Sequence, residues 1–148
     1  MSKPRIVLAD DHSLFREGLR QLLADRVEVV AAVSDGRSLL VACNQLQPDL
    51  VLLDISMPQL NGFDAAQQLR RTSPQLRFIF VTMHLEPDYV KTALGLGASG
   101  YVVKSAASTE LLTAIDAALR DEIFVSPLTS RAPPARSGDL RTGPLTPR

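Results

Sequence analysis

The sequence predicts an α/β protein in which one doubly wound parallel sheet of five strands carries five helices on its two faces. Three observations predict it. Short apolar runs alternate with helix-like stretches at a spacing of roughly 25 residues, which implies right-handed crossovers and a single parallel sheet. The runs lack polar alternation, as in Leu50-Val51-Leu52-Leu53, and so suit strands covered on both faces. Several runs also stop abruptly at a polar residue, and in such a sheet those ends share one edge, where ligands bind.

Arg5-Ile6-Val7-Leu8-Ala9 reads as the first strand and ends in Asp10-Asp11. Ser13 is placed to cap the next helix, and Leu14, Phe15, Gly18, Leu19, Leu22 and Leu23 form its apolar stripe. Val27 to Val33 is the second strand, and Glu28 among the valines marks it as an edge strand. Asp35-Gly36 turns into a helix whose inner side is Leu39, Leu40, Cys43 and Leu46. The third strand, Leu50–Leu53, ends at Asp54; Met57-Pro58 and Asn61-Gly62 then lead to a helix over Asp64–Arg71. Arg77 to Thr82 is the fourth strand, and Pro87 opens a short helix weakened by Gly95 and Gly97. Gly100 to Val103 is the fifth strand, ended by Lys104. Ser108 is placed to cap the last helix, which buries Leu111, Leu112, Ile115, Ala118 and Leu119.

Length and composition fit one globular domain followed by a tail. Of 148 residues, 45% are hydrophobic and 22% charged, with zero net charge, so bulk charge does not point to nucleic acid or an anionic membrane. Residues 1–125 form the domain. Residues 126–148 contain five prolines, four arginines and no aromatic residue, and read as a flexible linker. Cys43 is the one cysteine, which excludes an internal disulfide and suits a small core residue. No apolar run nears the ~18 residues of a membrane span and no signal-peptide pattern opens the chain, so the expected setting is the cytoplasm.

The strand ends bring Asp10, Asp11, Asp54, Thr82 and Lys104 to one edge. Each has an ordinary explanation alone: an acid caps a helix, a threonine suits a strand, a lysine is solvated. Three carboxylates together repel unless a cation is present. The expected ligands are hard oxygens with no histidine or cysteine, which favours Mg²⁺, the usual companion of a phosphate group. Lys104 and Thr82 can then contact phosphoryl oxygens, and Asp54 can act as a nucleophile that becomes an aspartyl phosphate.

With Met57-Pro58 and Tyr101 added, this set resembles the receiver domain of bacterial two-component response regulators over about residues 4–122. The resemblance implies a flavodoxin-like strand order 2-1-3-4-5 and phosphoryl transfer to Asp54 from the phosphohistidine of a histidine kinase. It implies Mg²⁺ held by Asp11, Asp54 and the Ser56 carbonyl, with Asp10 acting through water. Thr82 and Lys104 would contact the phosphoryl group, and Tyr101 would report the change by turning inward. Ser56 and His84 occupy positions that flank the hydrolytic water in the family. The chain would be a signalling phosphoacceptor that catalyses only its own phosphorylation and dephosphorylation. Gly97 to Lys104 is similar to the NarL/FixJ branch, and Leu145-Thr146-Pro147-Arg148 to the opening of a LuxR-type helix-turn-helix. On that reading the DNA-binding domain that controls transcription lies beyond this chain. One departure is Ser105, where many receivers have a proline after the lysine.

Two rivals fit less well. A haloacid-dehalogenase-like phosphotransferase needs an acid two residues after Asp54, where Ser56 stands. A receiver-like interaction module without phosphorylation is expected to lack a key group, and none is missing. Phosphorylation is expected to drive homodimerisation. One candidate face has Arg16 and Arg20 on the first helix, with Asp116, Asp121 and the small residues Thr113, Ala114 and Ala117 on the last. The family leaves the fourth helix, fifth strand and fifth helix as the alternative.

Overall fold

A computed structural model describes residues 3–130. The strands are β1 (Arg5–Ala9), β2 (Glu28–Val33), β3 (Leu50–Leu53), β4 (Arg77–Thr82), β5 (Gly100–Val103) and β6 (Phe124–Val125). The helices are α1 (Ser13–Leu23), α2 (Gly36–Leu46), α3 (Gly62–Thr72), α4 (Pro87–Gly95), α5 (Ala107–Leu119) and a single turn, α6 (Pro127–Ser130). A 3₁₀ turn, Lys104–Ala106, joins β5 to α5. All pairings are parallel and the order is β2-β1-β3-β4-β5-β6. The expected order therefore holds for the first five strands, with β2 at one edge.

The uninterrupted apolar strands follow from two separate cores. Val7, Val51, Leu53, Phe78, Phe80 and Tyr101 point to the α2–α3–α4 side. Ile6, Leu8, Leu50, Leu52, Ile79, Val81 and Val102 point to the α1–α5 side. Alternate residues thus feed opposite layers, and neither face tolerates a polar residue. Cys43 lies in the first core, as its position predicts; burial pushes its thiol pKa up to about 12, so it stays a protonated packing group.

Several local expectations change. The end of the domain adds β6 and the start of the tail adds α6, one strand and one helix more than expected. Phe124 pairs with Gly100 and Val125 with Tyr101, and the Ser126 N–H continues the ladder to the Tyr101 carbonyl at 2.8 Å. The expected linker over 126–148 meets the described residues at 126–130, where Ser126 and Thr129 are buried. Its remainder, including Leu145–Arg148, lies outside the described residues.

Leu14 is 89% exposed and a Cβ on Gly18 would meet nothing within 4 Å, so α1 faces the sheet with Phe15, Leu19, Leu22 and Leu23 instead. A helix buries one arc, and the six-residue stripe was wider than that arc. Ser13 and Ser108 do not cap. His12 is the N-cap of α1, and α5 starts at Ala107, directly behind the 3₁₀ turn. Asp35 and Asn61 do cap, accepting the N–H of Ser38 and Asp64. Gly95 closes α4 rather than interrupting it, and Gly97, at φ 91°, makes the left-handed turn beyond it.

Part of the expected α1–α5 contact face is used within the chain, while Arg20 and Thr113 stay exposed. Ala114 and Ala117 are buried. Asp116 approaches Arg26 at 3.6 Å, Asp121 bonds Arg77 at 2.9 Å, and Arg16 donates to the Asp10 carbonyl at 2.6 Å.

Gly62 seats the end of β3. Its N–H donates to the Ile55 carbonyl at 2.7 Å, and an added Cβ would lie 2.0 Å from the Asp54 carbonyl oxygen. That neighbour is backbone and cannot turn aside. Gly62→Ala is expected to destabilise the chain by at least about 2 kcal/mol. Gly18→Ala, in open space within a helix, is expected to stabilise it by about 0.5–1 kcal/mol. Urea unfolding of both variants checks the pair, and a wild-type midpoint for Gly62→Ala would mean that α3 does not press on Asp54.

Candidate functional site

The sheet ladder delivers the site residues. One step past β1, the Asp10 N–H donates to the Val33 carbonyl at 3.0 Å; one step past β3, the Asp54 N–H donates to the Ala9 carbonyl at 3.0 Å. Both acids are therefore held by backbone bonds to neighbouring strands. Both are also buried, each 3% exposed, at the carboxyl edge of the sheet.

Lys104 joins them. Its Nζ lies 2.8 Å from Asp54 Oδ2 and 2.9 Å from Asp10 Oδ2, with the lysine side chain 8% exposed. Burial works against its charge, but the bonds to Asp54 and Asp10 outweigh that and raise its pKa above the ordinary lysine value. The ammonium therefore stays charged throughout the physiological range. The Lys104–Ser105 bond is trans, since no cis peptide occurs among the described residues, and the lysine still reaches both acids. Asp54 Oδ1 accepts the Ile55 N–H at 2.7 Å, so each oxygen of this carboxylate has a donor.

Asp10, Asp11, His12 and Asp54 each offer a donor atom, and those atoms all lie within 4.8 Å of one another. The presence of His12 corrects the expectation of a cluster without histidine. Its Nδ1 is 3.0 Å from Lys104 Nζ, 3.2 Å from Asp10 Oδ1 and 3.4 Å from Asp11 Oδ1. Three carboxylates outnumber the Lys104 ammonium and the Arg16 guanidinium on the Asp10 carbonyl, and their oxygens are hard donors. That donor set fits a divalent cation of the Mg²⁺ type. Ser56 lies at the rim, lining an open depression with Asp11, Met57 and Asn61.

Thr82 and Tyr101 belong to a second, adjoining group. Thr82 is fully buried, and its Oγ1 faces the His84 N–H at 3.4 Å; among the described residues it makes no hydrogen bond to Asp54 or Lys104. Tyr101, expected to turn inward, is already inside, and its hydroxyl donates to the His84 carbonyl at 2.8 Å. Burial drives its pKa up, so it stays a neutral donor. His84 connects the groups. Its Nε2 is 3.2 Å from Ser56 Oγ, and its ring stacks on Tyr89 at 4.1 Å. Tyr89 stacks on Phe63, which meets Phe80 edge-on at 5.2 Å.

Sequence reasoning missed three contributors to this site. His12 continues the Asp10-Asp11 run by one residue, and that adjacency was the available signal. Arg16, assigned to a dimer face, holds the Asp10 carbonyl. Phe15, assigned to the core stripe, lies under Lys104, with Nζ 4.7 Å from its ring centre. Both follow His12 at helical spacing, so the start of α1 at His12 brings them to the site.

Residues 6–116 match the response regulator receiver domain. The chain is 34% identical over 128 residues to the transcriptional regulatory protein DegU of Brevibacillus brevis, covering 85% of this chain and 54% of that protein. It is 36% identical over 123 residues to the nitrate/nitrite response regulator protein NarL of Escherichia coli, covering 82% and 57%. The chain thus spans little more than half the length of these two relatives. Among solved structures, a LuxR-family two-component response regulator from Aurantimonas sp. SI85-9A1 superposes with a TM-score of 0.83 at 34% identity, covering 88% of this chain and 94% of that one. The isolated receiver domain of RcsB from Salmonella enterica serovar Typhimurium, with the phosphomimetic BeF₃⁻, gives 0.81 at 28% identity, covering 88% and 98%. A match across residues 6–116, in a chain whose relatives are transcriptional regulators, makes this chain a member of the response regulator receiver family, on its NarL/LuxR side.

Proposed function

We propose that this chain accepts a phosphoryl group on Asp54 from the phosphohistidine of a sensor histidine kinase and passes the change to an output domain. The observation that carries the reading is the buried Asp54 carboxylate at the end of β3, bonded at 2.8 Å to a lysine that Asp10 also holds. The family is a signalling family, and the finer reading is that the chain catalyses only its own phosphorylation and dephosphorylation. Mg²⁺ would be held by Asp11, Asp54 and the Ser56 carbonyl, with Asp10 acting through water. When bound, the ion supplies charge neutralisation at the phosphoryl oxygens.

In the transfer, an Asp54 carboxylate oxygen attacks phosphorus. The P–N bond to the donor imidazole breaks, the nitrogen keeps the electron pair and takes up a proton, and Asp54 becomes an acyl phosphate. Lys104 follows the charge onto the phosphoryl oxygens, and Thr82 turns its hydroxyl toward them. Thr82 then leaves the His84 N–H. The His84 carbonyl carries Tyr101 and its ring carries Tyr89 of α4, so one local rotation reaches both.

The output is proposed from the relatives. RcsB, 28% identical, has been solved as two dimers bound to two parallel DNAs. By analogy this receiver dimerises when phosphorylated, and DNA binding resides in a domain reached through residues 126–148. A cytoplasmic setting agrees with the absence, among the described residues, of any helix long and apolar enough to cross a membrane.

Three outcomes test this reading. Incubation with a small acyl phosphate and Mg²⁺ should add one phosphoryl mass to the wild type and none to Asp54→Asn by intact-mass measurement; equal gain in both places the phosphate elsewhere. Lys104→Ala should still be modified, slowly, while the phosphorylation-linked change in amide exchange around Gly95 and Gly97 is mostly lost, because a ligand shifts states only by its differential interaction. An equal exchange change in both proteins would detach Lys104 from the switch. Removing the His84 ring opens the side of the site bounded by Ser56, so His84→Ala should speed loss of the phosphoryl group several-fold with Mg²⁺ affinity unchanged. An unaltered lifetime would leave His84 only the packing of α4.

A further inference from the structure

A lysine ammonium has three N–H donors and no lone pair. Lys104 meets three acceptors: Asp54 Oδ2 at 2.8 Å, Asp10 Oδ2 at 2.9 Å and His12 Nδ1 at 3.0 Å. With the side chain 8% exposed, little water is available to replace any of them. The remaining side of the ammonium faces the Phe15 ring at 4.7 Å. The third acceptor is therefore part of how this buried cation is satisfied.

These contacts fix the state of the imidazole. If Nδ1 carried a proton, two donors would oppose each other at 3.0 Å. The competing carboxylate oxygens, Asp10 Oδ1 at 3.2 Å and Asp11 Oδ1 at 3.4 Å, both lie farther from Nδ1 than the ammonium, and the first already accepts the His12 backbone N–H at 2.8 Å. The geometry therefore assigns the Nδ1 lone pair to Lys104 and the proton to Nε2. That backbone bond also anchors His12 at the start of α1, so the ring is aimed from a fixed point.

We propose that His12 is a positioning residue for Lys104, keeping the ammonium aimed at Asp54 while that side chain changes from carboxylate to acyl phosphate. This rests on the reading of Asp54 as the phosphoacceptor. Transfer moves negative charge from the carboxylate to phosphoryl oxygens farther out. One of the three resting contacts of Lys104 weakens at that moment. Asp10 and His12 keep two N–H groups engaged, so the third swings through a short arc instead of the whole chain being released. A neutral acceptor suits this position. A further carboxylate would hold the ammonium too strongly and repel the incoming phosphoryl group.

The test uses the whole chain and reads the contact before any phosphorylation. In ¹H–¹⁵N spectra of lysine ammonium groups, Lys104 should give a slowly exchanging signal in the wild type, and His12 should be the Nε2–H tautomer. The signal should vanish in His12→Ala and persist in His12→Asn, whose Oδ1 can stand where Nδ1 was. Phosphorylation by a small acyl phosphate at saturating Mg²⁺ should slow about tenfold in His12→Ala, the rate equivalent of a hydrogen bond to a charged group. His12→Asn should recover most of that loss, and in a Lys104→Met background His12→Ala should cost nothing further. A proton on Nδ1, a Lys104 signal unchanged in His12→Ala, or an equal slowing in the Lys104→Met background would each overturn the proposal. Phosphoryl gain by Asp54→Asn would instead overturn the phosphoacceptor reading and its kinetic consequence, and the ammonium spectrum would still decide whether His12 holds Lys104.

Discussion

The site depends on one buried cation. The Lys104 ammonium at the end of β5 ties together carboxylates from the ends of β1 and β3, two strands that are neighbours of each other but not of β5. Two buried acids this close are tolerable only with positive charge between them. The lysine neutralises part of the cluster and the acids still outnumber the nearby cations, so the site remains suited to a divalent ion.

The surrounding structure holds these groups unequally. Asp10 and Asp54 are pinned through backbone bonds to Val33 and Ala9, and Gly62 lets α3 press against the Asp54 carbonyl. Thr82, by contrast, holds the next loop through a single long contact to the His84 N–H. His84 sits between Ser56, the Tyr101 hydroxyl and the Tyr89 ring. Asp10 and Asp54 thus rest on ladder and packed core, whereas Thr82 meets a loop with few polar bonds.

The end of the described chain is part of this arrangement. β6 covers the open edge of β5 by pairing with Gly100 and Tyr101, and α6 follows with Thr129 buried. Tyr101 thus touches the His84 loop through its side chain and Ser126 through its backbone. Asp116 of α5 and Asp121, just beyond its end, are also paired within the chain, with Arg26 and Arg77.

Most of the fold was legible because it is encoded locally. Apolar runs without alternation specify strands covered on both faces, and Pro87 marks a helix start through its fixed backbone angle, Asp35 and Asn61 through side-chain caps. The convergence of Asp10, Asp54 and Lys104 was legible because strand ends in a parallel sheet share an edge. The serine caps and the breadth of the α1 stripe were misread, since the arc that a helix buries is set by what it packs against.

By itself, then, the sequence determined the parallel sheet, its helices and the acids and lysine at one edge, because these follow from periodicity and strand direction. The tertiary structure alone decided that the His12 ring comes within 3.0 Å of Lys104, 92 residues away, that Phe15 lies under the same ammonium, and that Phe124–Val125 extends the sheet. Each depends on distant segments meeting, and sequence spacing does not say which segments meet.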